Sequence, residues 1–231
     1  FQGYDGSQTT PASKPITLTQ VGLPVASFYG WNSIGVFQTQ AEVDAYGQSG
    51  AAPGDLKFED IDQNNIIDDR DRMVLGNPNP KYLYGLNLSF NYDKFDFSLD
   101  LQGVAGVDIY NANLGSIFSI GNFTKDFVDN RWNGEGTSNT YPTADLQRGS
   151  NKGDYLRVRN IQFGYTFSNL DKVGISKLRL YSALQNAFNF FSYKGFSPEL
   201  TSFQGNPLNS GIDAGVYPLS AIYNFGVSVT F

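Results

Sequence analysis

The sequence predicts an all-β chain, an antiparallel segment of a transmembrane β-barrel, and three observations carry that prediction. In residues 217–231 every second position is apolar (Tyr217, Leu219, Ala221, Tyr223, Phe225, Val227, Val229 and Phe231) while those between are mostly small or polar. Period-2 alternation places one row of side chains on one face of a strand. A membrane-crossing strand of about 9 to 11 residues needs that whole row apolar. The second observation is that connections between such segments alternate between short and long. The third is composition: 15% aromatic residues, 25 Gly and only 16% charged residues, with Phe and Tyr supplying much of the apolar surface.

The segments justify themselves in chain order. Tyr82, Tyr84, Leu86, Leu88, Phe90 and Tyr92 alternate with Leu83, Gly85, Asn87, Ser89 and Asn91. After Asp93 and Lys94 come Phe95, Phe97, Leu99 and Leu101 against Asp96, Ser98 and Asp100, so the two segments form a tight antiparallel hairpin. Residues 155–167 set Ile161, Phe163, Tyr165 and Phe167 against Asn160, Gln162, Gly164 and Thr166. Residues 178–190 carry Leu178, Leu180, Leu184, Phe188 and Phe190 on one face, interrupted by Ser182 and Asn186. The connections 93–94 and 168–177 are short, whereas 106–154 and 192–216 are long, and the long ones fall on one side. Outer-membrane barrels have short periplasmic turns and long extracellular loops. Aromatics at the segment ends suit the two interfacial girdles. A soluble β-sandwich also alternates and stands as the alternative. Five strands are too few to close a barrel, so the membrane reading makes this a part of a larger wall.

Residues 1–80 are expected to form an extracellular loop region with one short helix over 39–46, and residues 81–231 the barrel strands with two long extracellular loops. The opening Phe1, Gln2, Gly3, Tyr4 lacks the charged and apolar regions of an export signal, which fits a chain whose beginning lies upstream. A mean hydropathy of -0.30 does not oppose membrane insertion, because alternation hides the apolar residues of a barrel. No apolar run is long enough for a spanning helix. Without Cys there is no disulfide or thiol chemistry, and without His the commonest general base and metal ligand is missing. A net charge of -6 argues against nucleic acid as a partner. No catalytic residues are assigned and no enzyme is expected: Glu135, Glu199 and the acidic cluster near residue 60 do not form the opposed carboxylate pair that acid and base work requires.

That cluster reads instead as a calcium loop. Calcium takes six to eight hard oxygens, and a 12-residue loop supplies them from positions 1, 3, 5, 7, 9 and 12. Here these are Asp60, Asp62, Asn64, the carbonyl of Ile66, Asp68 and Asp71. Asn65 stands at the sharp turn where Gly is usual, and Asn tolerates the left-handed conformation well. The competing reading is a solvated acidic turn partly neutralised by Arg70 and Arg72. In the long loops, Tyr29, Trp31, Trp132, Asn133, Tyr141 and Phe203 are candidates for stacking on sugar rings or clamping a peptide, or for a lid contact.

Several stretches together resemble one family. They are residues 21–31 (VGLPVASFYGW), 35–40 (GVFQTQ), 42–46 (EVDAY), 54–58 (GDLKF), the acidic loop 60–71, 76–81 (GNPNPK), 155–165 (YLRVRNIQFGY), 184–188 (LQNAF) and the aromatic C-terminus. In that order they resemble the C-terminal part of SusC-like TonB-dependent outer-membrane transporters, of the RagA/SusC type. The resemblance implies a 22-stranded barrel in the outer membrane of a Gram-negative bacterium, closed by an N-terminal plug and importing oligosaccharides or peptides. It implies as partners a SusD-like surface lipoprotein acting as a lid, TonB acting through the N-terminal part, and the surrounding lipid and lipopolysaccharide. The row Tyr223, Phe225, Val227, Val229 and Phe231 resembles the signal read by the barrel insertion machinery. The family usually has Gly where Asn65 stands.

Overall fold

The computed structural model describes residues 15–113, 125–138, 151–170, 174–200 and 205–231. The chain divides into two compact units. One comprises Pro80–Gly106, Gly153–Tyr193 and Tyr217–Phe231, and the other takes the remaining stretches.

The first unit is a single five-stranded antiparallel sheet. Short strands of the other unit precede it in the chain: β1 (Thr17–Leu18), β2 (Ser27–Trp31), β3 (Ser33–Val36), β4 (Leu56–Phe58) and β5 (Arg72–Gly76). The sheet is built from β6 (Tyr82–Tyr92), β7 (Phe95–Ala105), β10 (Tyr155–Leu170), β11 (Ile175–Phe191) and β13 (Ile222–Thr230). Its strand order is β13-β11-β10-β7-β6, so each strand pairs with its neighbour in sequence within the sheet. In such a meander the tight turn at Asp93 and Lys94 and the β10–β11 connection lie at one end, and the two long connections leave from the other. Asp93 adopts φ 50°, the left-handed conformation that a two-residue hairpin loop demands.

Register aligns the apolar residues into rows that cross the whole sheet. Leu88 faces Leu99, Leu99 faces Ile161, Ile161 faces Leu184 and Leu184 faces Tyr223. A second row runs Phe90, Phe97, Phe163, Ser182, Phe225. Ser182, which breaks the apolar alternation in the sequence, thus sits between two Phe side chains of neighbouring strands. All of β6 is exposed, as is β13 apart from one position. Phe225 is 84% and Phe90 60% exposed. A soluble sandwich would cover this face with a second sheet. Among the described residues of this unit there is none, and the sandwich alternative is set aside.

The other unit is built of small sheets, where the sequence suggested loop. They are β1-β2-β5, the pair β3-β4, and β12-β8-β9, with β8 at Asp108–Asn111, β9 at Asn151–Lys152 and β12 at Ile212–Asp213. These strands of two to five residues are too short to carry an alternation signal. They are held by contacts between distant residues. Phe28, Tyr110 and Ile212 form a buried cluster with Ile16, Leu75 and Ala112 packed against it. The short helix expected over 39–46 is α1 (Gln40–Asp44), capped by the Thr39 hydroxyl, which accepts from the Glu42 amide, while the Glu42 carboxylate accepts from the Gln38 amide. A second helix, α2, spans Lys125–Asn130. No helix of the described residues is long and apolar enough to cross a membrane.

Candidate functional site: an acidic loop and a two-faced wall

The acidic loop is folded by its own carboxylates. Asp60 accepts from the amides of Asn64 (3.3 Å) and Asn65 (2.7 Å), so its carboxylate holds the turn that follows it. Asn65 lies at φ 64° and Gln63 at φ 57°, and Asn65 thereby takes the conformation for which Gly is usual. Asp71 is fully buried and accepts from the amides of Ile61 (2.9 Å) and Asp68 (2.8 Å), closing the loop end on its beginning. These backbone bonds, that from Asp68 foremost, hold its carboxyl below the ordinary carboxylate range against the opposing effect of burial.

Carboxylate oxygens of Asp60, Asp62 and Asp71 lie within 4.8 Å of one another. A cation with ligands at about 2.3 to 2.6 Å spans that separation, so this oxygen-only donor set fits calcium. Asp68 lies outside the trio, with its carboxylate gripped by the Arg70 guanidinium (2.8 Å). The Asn64 Oδ1 accepts from the Ile66 amide at 2.7 Å.

Asp71 also sets a pH dependence. A carboxyl with a depressed folded-state pKa contributes stability above its unfolded value, near about 4, and loses that contribution as pH falls through the folded value. The protection of amides in residues 60–72, taken relative to the intrinsic exchange rate at each pH, is therefore expected to hold from pH 7 down to about 4 and to fall below it, at Ile61 and Asp68 first. Protection unchanged down to pH 2 would show that Asp71 does not hold the loop.

The loop aromatics are engaged within their own unit. The Trp31 indole donates to the Asp68 carbonyl at 2.7 Å and its ring lies 6.0 Å from that of Phe58, so Trp31 braces the acidic loop. The Arg72 guanidinium stacks on Tyr29 at 4.5 Å and Trp31 at 5.2 Å. Trp132 packs over Gly54, where a Cβ would stand 2.7 Å from its ring, and donates to Gln38 Oε1 at 3.2 Å. The Asn133 amide donates to the Thr137 hydroxyl at 2.9 Å. Tyr141 and Phe203 lie outside the described residues. Gln38 escaped the sequence reading: its oxygen also accepts from the Gly136 amide and its nitrogen donates to the carbonyls of Val36 and Ser138. Nothing local to residue 38 announces partners about 100 positions away.

The wall carries its chemistry as two unlike faces. Tyr223, Phe225, Val227 and Val229 continue the apolar rows through β13, and Phe231 follows, 89% exposed. The opposite face is polar and internally bonded. Asn87 donates to Asp100 at 2.5 Å, and the Arg179 guanidinium grips Asp96 with Nε (2.8 Å) and Nη2 (2.5 Å). On the apolar face the Tyr84 hydroxyl reaches past β7 to the Tyr155 carbonyl at 2.8 Å, tying three strands together.

A meander apolar on its exposed outer face, polar on its inner face and open at both edges is a piece of an antiparallel transmembrane β-barrel wall. The sequence comparisons name the kind. The chain is 32% identical over 225 residues to TonB-dependent receptor P3 of Formosa agariphila, covering 91% of this chain and 22% of that protein. It is 30% identical over 220 residues to TonB-dependent receptor SusC of Bacteroides thetaiotaomicron, covering 88% and 20%. Among solved structures it resembles the RagAB peptide importer in its open-open state, with a TM-score of 0.64 and 17% identity over 96% of this chain and 24% of that one. No family model matches the chain. The chain belongs to the SusC-like TonB-dependent receptors, and it spans about a fifth of the length of the curated relatives it matches.

Proposed function

We propose that this chain forms part of the barrel wall of a TonB-dependent transporter in the outer membrane of a Gram-negative bacterium, importing oligosaccharides or peptides together with a SusD-like lipoprotein. The observation that carries the reading is the sheet itself. Both edge strands, β6 and β13, are free to pair within this unit, and the apolar rows cross all five strands without a charged residue. In hydrocarbon an unpaired edge leaves backbone groups unsatisfied, so such a sheet belongs in a closed wall completed by further strands. In this reading the apolar rows contact acyl chains and lipopolysaccharide, and the polar face lines the lumen. The long connections lie outside the cell, where Tyr29, Trp31, Trp132, Asn133, Tyr141 and Phe203 are the candidates for cargo or lid contact. The row ending at Phe231 serves as the insertion signal, and TonB acts through segments beyond this chain. SusC and the RagAB peptide importer, to which the chain is similar, support transport as the activity. Fractionation of the native organism tests it. The protein should sediment with outer membranes, require detergent for release and co-purify with a lipoprotein, and release into buffer without detergent would end the proposal.

A calcium ion held by Asp60, Asp62 and Asp71, completed by Asn64, the Ile66 carbonyl and Asp68, is the second part of the reading. Its role is structural: it would neutralise three converging carboxylates and fix the loop against Trp31. Ligand binding to the folded state alone stabilises by about 2.7 kcal/mol at 100 times the dissociation constant. Calcium is therefore expected to slow hydrogen exchange in residues 60–72 of the intact protein, and EGTA to reverse it. Asp60→Asn with Asp62→Asn should abolish the response. An identical exchange profile in calcium and EGTA would leave a solvated turn.

A further inference from the structure

Within the five-stranded sheet the register slips at one place, and the slip grows from strand to strand. Between the positions paired in β10 and β7, β7 runs directly from Asp100 to Leu101 while β10 inserts one residue, Arg159, between Val158 and Asn160. Against the same two β10 positions β11 inserts two, Asn186 and Ala187, between Gln185 and Phe188. Asn186 takes φ 52°, a left-handed conformation that an L side chain adopts at a cost. Bulges of this kind re-aim a side chain, and they concentrate beside functional sites.

What is re-aimed here is a guanidinium. Arg159 donates from Nη1 to the Gln102 Oε1 at 3.1 Å, and Gln102 pairs with Arg157 in the polar rows, so Arg159 stands on the polar face. It is exposed, and among the described residues it forms no ion pair. Arg157 and Asp100 at this height also have neutral hydrogen-bond partners, and of the two guanidiniums only that of Arg159 is exposed. Arg157 is buried, donates to Asn189 Oδ1 at 2.6 Å and lies over the Tyr155 ring at 5.4 Å. Asp100 accepts from Asn87.

We propose that Arg159 is a binding contact for a carboxylate of the imported solute, with the Gln102 amide as a neighbouring donor. The inference rests on the reading of the polar face as the lumen. A guanidinium fork matches a carboxylate with two parallel hydrogen bonds, and a neutral partner such as Gln102 leaves its charge uncompensated. Acidic peptides and uronate-bearing oligosaccharides share that chemistry.

The test uses the intact detergent-purified transporter and two matched probe pairs: an octapeptide rich in Glu beside its Gln counterpart, and an oligogalacturonate beside its methyl ester. At least one acid is expected to bind about tenfold more tightly than its neutral counterpart, the scale of one charge-assisted hydrogen bond. The pair that shows the preference identifies the carrier. Arg159→Gln should reduce the preference to about threefold or less, and Arg159→Lys should restore part of it. The preference should also shrink with added salt. A wild-type protein without acid preference in either pair, or a preference that Arg159→Gln leaves intact, overturns the proposal. Failure of the transporter reading registers separately, as absence from outer-membrane fractions.

Discussion

Leu88→Arg and Leu99→Arg should each lower the yield of folded barrel and the two together should prevent its accumulation, whereas Ser89→Arg and Ser98→Arg, one position away on the same strands, should be tolerated. Leu88 and Leu99 pair directly and belong to the row that continues through Ile161 and Leu184 to Tyr223. Strands β6, β7, β10 and β11 each have several residues on either side of that row, which places it near the middle of the hydrocarbon. An Arg on the lipid face at that depth costs about 2 to 4 kcal/mol, falling towards zero near the interfaces. Native proteins hold a margin of only about 5 to 15 kcal/mol, so the double variant removes a large share of it. Ser89 and Ser98 also pair with each other but on the polar face, where a guanidinium reaches water. The measurement is heat-modifiable migration of the intact protein from outer membranes, supported by urea unfolding in detergent micelles. Equal loss from the Leu and Ser positions would mean that both faces are packed in protein, and the membrane reading would fall.

That contrast rests on the part of the fold most legible in the sequence. A strand in lipid must satisfy its backbone through its neighbours and its solvent through every second side chain, so period 2 survives in the residues however the rest of the barrel is arranged. Strands β6 and β7 and their two-residue turn follow directly, and the turn's left-handed Asp93 agrees with its composition. Alternation misleads where register slips. Tyr155 and Arg157 share odd numbers with Ile161 and Phe163, yet the extra residue at Arg159 puts Leu156 and Val158 in the apolar rows instead. The interruption at Asn186 is the trace of the same slip in β11. The last strand also begins later than its pattern: Tyr217 and Leu219 continue the alternation but precede β13. The small sheets of the other unit left no periodic trace, because β1 is only two residues long and β4 and β12 owe their pairing to residues far away in the chain.

The acidic loop was legible for a different reason. Its turn and its closure are local, and the conformations at Asp60, Asn65 and Asp71 follow from bonds within twelve residues. What surrounds the loop was not legible. That Trp31 braces it through the Asp68 carbonyl depends on a partner 37 positions away.

Gly164→Val is the second substitution expected to act strongly, through an ion pair in which Gly164 has no part. Register puts Asn91, Asp96, Gly164, Tyr181 and Gly226 in one row across all five strands of the sheet. Asp96 on β7 and Arg179 on β11 meet across β10, and a Cβ on Gly164 would overlap the Asp96 carboxylate. Glycine is required there for space. Tyr181, beneath the Arg179 guanidinium at 4.8 Å, occupies the corresponding space over Gly226. With the carboxylate only 25% and the guanidinium 28% exposed, separating them leaves two poorly solvated charges. Breaking buried pairs costs about 3 to 5 kcal/mol, and the partial exposure here brings the expectation to about 1 to 3 kcal/mol. A clash and a broken ion pair are told apart by a cycle. Asp96→Ala removes both the pair and the atoms in the way, so Gly164→Val should cost much less in the Asp96→Ala background than in the wild type. Additive losses in thermal unfolding of the intact protein would mean that Gly164 matters for its strand alone. The double variant should then be the least stable of the set.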